Sequence, residues 1–208
     1  MQLKNGILFN VFKLIIEAIK YLSLVELFKY ISIEVWGKGS QPRKNIASRF
    51  AVDVFIIIKW SVIIVGLDQQ WNNLYFTTIV WYLIIMNLHT YFYYHVWHKN
   101  TMNMDGFLID RVRRRFLFLL LSIGFSNLAF AYLYEFPYRH GFELAKVGMV
   151  NSWDFIFFSF ATSITAGYES VKVIGSLGQR IVLLQLVISF IFFTIILAKS
   201  IPSTDSRV

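Results

Sequence analysis

Thr165, Ala166, Gly167, Tyr168 and Glu169 follow one another between two strongly apolar stretches. Their chemistry is that of the backbone. Thr165 offers a hydroxyl and a carbonyl; Ala166, Gly167 and Tyr168 offer carbonyls. Gly167 permits a φ > 0 conformation that turns successive carbonyls to one side. A ring of such oxygens can replace the hydration shell of a cation. The uncharged stretch 155–168 before this point is too short to cross a hydrocarbon core about 30 Å thick, because a helix rises only about 1.5 Å per residue. The run 181–198 after it is long enough. A short apolar helix, a glycine turn and a full-length span together predict a re-entrant loop. Such backbone survives at membrane depth where it is buried in protein or lines a watery path. Thr162 and Ser163 would end the short helix, its negative dipole end aimed at a central cavity. Asn151 or Ser152 would cap its start.

The elements that must position this segment are read from composition. The chain has 208 residues, 57% hydrophobic and 18% aromatic, with a mean hydropathy of +0.57. That predicts an all-α membrane protein. The absence of cysteine excludes disulfides and thiolate metal sites. Residues 7–36 carry charges throughout, and Lys13 and Glu17 form an i,i+4 pair. This predicts an amphipathic helix lying on the membrane surface, with no cleavable signal. A tilted span is the alternative. Glycines and Pro42 break the pattern at 37–42. Four spans are predicted at about 50–67, 74–96, 116–134 and 181–198. Basic residues crowd the segments before the first span and between the second and third, whereas 68–73 has none. By the positive-inside rule both termini are cytoplasmic in the plasma (inner) membrane, and 135–180 faces outward. The same rule accounts for the net charge of +8, so nucleic acid is not expected as a partner. The organisation is thus 1–49 a cytoplasmic or interfacial amphipathic helix and a basic linker with Arg43, Lys44 and Arg49, 50–97 two accessory spans, 98–115 a basic cytoplasmic loop, 116–200 the module around the short helix, and 201–208 a cytoplasmic tail.

Lys59 interrupts the first span. Intramembrane charges face protein and have partners. Counted from the cytoplasmic ends, its depth matches Asn87 and His89 on the second span, which are its expected contacts. Snorkelling or a water-filled crevice is the alternative. His95 and His98 read as interfacial histidines. No nucleophile motif, metal-ligand cluster or intramembrane carboxylate pair is evident, so neither an enzyme nor a cofactor is expected.

Residues 116–200 resemble the pore module of the potassium-channel superfamily, as found in small bacterial ion-channel proteins. The likeness is carried by Trp153-Asp154-Phe155-Ile156-Phe157-Phe158-Ser159-Phe160 as pore helix. Thr162-Ser163-Ile164-Thr165-Ala166-Gly167-Tyr168-Glu169-Ser170 matches the filter, and Leu177-Gly178-Gln179-Arg180 the approach to the inner helix. The resemblance implies a homotetrameric channel in membrane lipid. Its filter would be 165–169, with Tyr168 wedged behind it, and K+ or Na+ would be the permeating ion. It places the family's hinge glycine at Ser189, although 181–198 has no Gly or Pro to cause a sharp kink. Phe190, Phe192 and Phe193 read as a candidate hydrophobic constriction, or gate, with packing against the outer helix as the alternative. Departures bear on selectivity. Glu169 replaces the second filter glycine, as in the weakly selective cyclic-nucleotide-gated channels, and would either strain the backbone or remodel the outer site. Ser170 replaces an aspartate. The acidic residue often found behind the filter aligns with Ala161, so no polar clamp is expected. Arg111, Arg113, Arg114 and Arg115 are not spaced as a voltage sensor and read as topology anchors. The competing expectation is a non-conducting scaffold, or a pore held shut until a separate regulatory protein acts.

Overall fold

A computed structural model describes residues 6–37, 40–97, 109–145 and 152–200. The tail 201–208, His98 and most of the basic loop lie outside these residues. The chain divides into two compact units, one ending at Val62 and the other beginning at Ile63.

In the first unit, α1 (Ile7–Tyr21) and α2 (Leu24–Trp36) replace the expected single helix. The break falls at Leu22 and Ser23, where Ser23 takes an extended conformation and starts the second helix. The Ser23 side chain makes no cap bond; instead the Leu22 and Ser23 N–H groups close the first helix on the Ile19 and Lys20 carbonyls, three residues back, at 3.0 and 3.1 Å. α1 buries none of its residues. α2 lies along α3 (Gln41–Asp68): Ser32 donates to the Ala47 carbonyl at 2.9 Å, and Phe28 meets Phe55 edge to face. α3 begins well before residue 50. Pro42 sits in its first turn, where a missing N–H costs nothing. Arg43, Lys44 and Arg49 are therefore helical rather than linker.

The second unit contains α4 (Leu74–Phe92), α5 (Ile109–Glu135), α6 (Ser152–Ser163) and α7 (Gly175–Ser200). Asn73 caps α4 by accepting the Phe76 N–H at 2.7 Å. A π-helical turn, Tyr93–Trp97, extends its far end. α4 is bound to α5 at several depths. Asn87 exchanges two hydrogen bonds with Ser122, and Tyr91 donates to the Phe118 carbonyl at 2.7 Å; Trp81 donates to the hydroxyl of Tyr138, just past the end of α5, at 3.1 Å. Gly66 leaves room for the Phe76 ring, which a Cβ there would strike.

Among the described residues, three helices are long and apolar enough to cross a membrane: Gln41–Asp68, Phe116–Glu135 and Gly175–Ile195. α4, expected as a span, is not among them.

The expectation of purely helical structure is corrected by a two-stranded antiparallel ribbon. β1 (Phe142–Leu144) pairs with β2 (Val171–Val173), Glu143 opposite Lys172. Both strands alternate apolar and charged residues, a pattern too short to register in the sequence. The ribbon brackets α6, so the chain leaves it through α6 and returns to it through loop 164–170. It is anchored to the start of α7 by a glycine pair. Ile174 donates to the Gly141 carbonyl at 2.8 Å, and a Cβ on Gly141 would lie 2.9 Å from the Gly178 Cα. Gly178 matters here as a contact surface. Gly178→Ala is expected to cost about 1–3 kcal/mol, seen as a lower melting temperature of the purified protein in detergent.

Candidate functional site

α6 is held from three sides. Its outward face buries Phe155 and Phe158, which meet Phe142 and Tyr134 in edge-on ring contacts. Arg139 stacks over Phe155, 5.1 Å from the ring centroid, and donates to the Phe142 carbonyl. At its start, Ser152 donates to Glu135 at 2.5 Å, so its hydroxyl serves the end of α5 rather than a cap. Asn151, the other expected cap, lies outside the described residues.

Its other buried face is polar. The Ser159 hydroxyl donates to the Asn127 carbonyl on α5 at 2.7 Å. The Gln185 side-chain nitrogen on α7 reaches the Ser159 carbonyl and hydroxyl, each at 2.8 Å, and Asn127 Oδ1 at 3.2 Å. Tyr134 donates to Gln185 Oε1. Asn127 also donates to the Ser163 hydroxyl at 3.2 Å, which donates onward to the Phe160 carbonyl. Gln185, Ser159 and Tyr134 are fully enclosed. Sequence reading passed over Asn127, Tyr134, Ser159 and Gln185. The available signal was that polar side chains inside apolar helices seek one another.

α6 ends in a Schellman arrangement. The Ala166 N–H donates to the Ala161 carbonyl at 2.8 Å and the Thr165 N–H to the Thr162 carbonyl at 3.0 Å, with Thr165 left-handed at φ +59°. Thr165, not Gly167, is thus the left-handed residue of the loop, because helix termination requires that conformation at this position. A β-branched residue there is strained. Glu169 is not left-handed and carries no such strain. The Thr165 hydroxyl turns back to the Ile164 carbonyl at 2.7 Å. Thr162 and Ser163 are buried within the chain.

Beyond the cap, residues 164–167 and Glu169 are exposed, and Tyr168 is half-buried. Among the described residues, no donor is bonded to the carbonyl oxygens of Thr165, Ala166 or Gly167. Tyr168 folds back over α6: its ring lies 6.1 Å from that of Phe157, and its hydroxyl donates to Asp154 at 2.9 Å. A polar clamp is therefore present, supplied by the first turn of α6 instead of position 161. Desolvation and the Asp154 carboxylate hold the Tyr168 phenol above its ordinary pKa.

The remaining expected residues are placed as follows. α7 runs unbroken through Ser189, which is buried. Phe190 and Phe193 are exposed, while Phe192 is buried with its ring 6.2 Å from that of Tyr91 on α4. Phe192 therefore packs inside the chain, away from the other two. Lys59 is buried and belongs to the first unit. Asn87 is engaged by Ser122, and the buried His89 stacks on Tyr93 at 5.9 Å. Arg114 lies over Phe118, one turn further along α5.

Comparison of the chain with protein-family models, curated proteins and solved structures returns no match. Loss of the clamp through Tyr168→Phe or Asp154→Ala is expected to speed amide hydrogen exchange across 165–170 by roughly fivefold, the worth of one net hydrogen bond. Asp154→Asn keeps an accepting oxygen and should change it less.

Proposed function

We propose that this protein is the subunit of a homotetrameric cation channel, resembling potassium channels, in which the carbonyls of 165–168 form the filter for K+ and other monovalent cations. The observation that carries this reading is a row of three backbone carbonyls, exposed and unbonded among the described residues, in a module of apolar helices. Backbone oxygens in an apolar surround require a partner. A permeating cation with its residual water is one that a fourfold ring can hold. One loop per chain supplies a quarter of such a ring, so the reading demands four copies about an axis.

Two further features support it. α6 exposes Trp153, Phe157, Phe160 and Ile164 along one face, and α7 exposes Leu183, Val187 and Phe190 along another. These stripes suit contact between copies and with lipid. The clamp from Asp154 to Tyr168 gives the loop a fixed backing without a residue at 161. In this reading α4 completes four spans, both termini are cytoplasmic, and Glu169 rings the outer mouth. Phe190 and Phe193, exposed towards the inner half of α7, are the candidate gate.

A second reading, a pore kept shut until a partner acts, is favoured by the Schellman cap. It ties up the last carbonyls of α6 and the Thr165 hydroxyl in bonds within the chain.

Purified protein in liposomes is expected to pass K+, with comparable Na+ flux. A sealed vesicle with tetrameric protein would favour the shut pore, and any other oligomer would reject the filter. Glu169→Gly is expected to raise the K+ over Na+ flux ratio by about tenfold, equivalent to ~1.4 kcal/mol. An unchanged ratio would remove Glu169 from the selectivity argument.

A further inference from the structure

We infer that Gln185 and Ser159, with Asn127 across from them, are the positioning residues of the filter: they set the depth and rotation of α6 and thereby the direction in which carbonyls 165–167 face. This rests on the reading of 165–169 as a filter. The three side chains lie on three different helices, and each is buried. Gln185 is the hub, its nitrogen reaching Ser159 twice and Asn127 once, its oxygen accepting from Tyr134. Sliding α6 by one residue would turn Ser159 away by about 100° and break these bonds together. Apolar ring contacts alone tolerate such a slip, because Phe can repack against Phe; hydrogen bonds of fixed length do not.

The path to the filter is short. Asn127 holds the Ser163 hydroxyl, and Ser163 is two residues before Thr165. The carbonyls of Ala161 and Thr162, just beyond Ser159 on α6, receive the N–H groups of Ala166 and Thr165. A change in the set of α6 therefore moves the cap, and the cap sets the first carbonyl of the filter.

The test uses full-length protein with Gln185→Leu, which matches the volume, and Ser159→Ala, which removes one hydroxyl and retains packing should the first fail to assemble. Each is examined for K+ over Na+ flux ratio in liposomes and for amide exchange at Thr165 and Ala166. The Ile174 amide, bonded to Gly141 in the ribbon, serves as control. Expected is a change of roughly fivefold in flux ratio and faster exchange at 165 and 166, with Ile174 unchanged. Wild-type conduction with an unaltered ratio and unaltered exchange in a variant would overturn the positioning role and leave the channel reading intact. Acceleration at all three amides alike would also overturn it, by showing a general loss of stability. If the wild type passes no ions, the conducting reading gives way to the shut pore where the protein is tetrameric and fails where it is not, and exchange alone decides whether these residues position the loop.

Discussion

The second unit depends on one buried polar contact among three helices. Gln185, Ser159 and Asn127 join α5, α6 and α7 through buried hydrogen bonds. Each bond adds only about 1 kcal/mol net, but a buried polar group stripped of its partner costs about 1–3 kcal/mol. In lipid the gain is of similar or smaller size, since separated helices find other partners. The cluster therefore contributes little as a source of raw stability and much as a penalty against wrong packings. A twelve-residue helix could rotate or slide in an all-apolar slot. Here it has one rotation and one depth.

The ribbon fixes the other end. β1 and β2 hold the two ends of the excursion 145–170 side by side, and the Gly141–Gly178 contact presses them onto the first turn of α7. The loop is thus tied at its base by strands, along its length by Tyr168, and at its tip by the helix cap. Its flanks are fixed while the carbonyls of 165–167 stay open.

Much of this was legible in the sequence and some was not, for physical reasons. Long apolar runs identified α3, α5 and α7 because hydropathy over a helix-length window is a large signal. α6 was visible because it is apolar and too short. The break at Ser23 was hidden, since no glycine or proline marks it and the apolar period continues through it. The ribbon was hidden because three-residue strands leave no periodicity. Asp154 was passed over as a clamp because its partner, Tyr168, stands fourteen residues away across the helix end and loop, beyond any local pattern. The glycine at 167 drew the left-handed conformation to the wrong position; the requirement lay at the helix end, where Thr165 happens to stand. The polar triad lies at 127, 159 and 185, and such separations are invisible to any local pattern.

The bond from Tyr168 to Asp154 joins the far side of the loop to the opposite end of the helix that precedes it. From Asp154 to Ser163 the helix climbs about 14 Å. The few residues from Ile164 to Tyr168 must descend alongside it, at no more than about 3.5 Å each. Five such steps exceed that climb even before the tyrosine ring adds its reach, so the segment has length to spare. Helix and loop together act as a bow and a loosely tied string, and the knot is the hydrogen bond rather than the length of chain. Cutting the bond frees the string, whereas a residue gained in it can be taken up as slack.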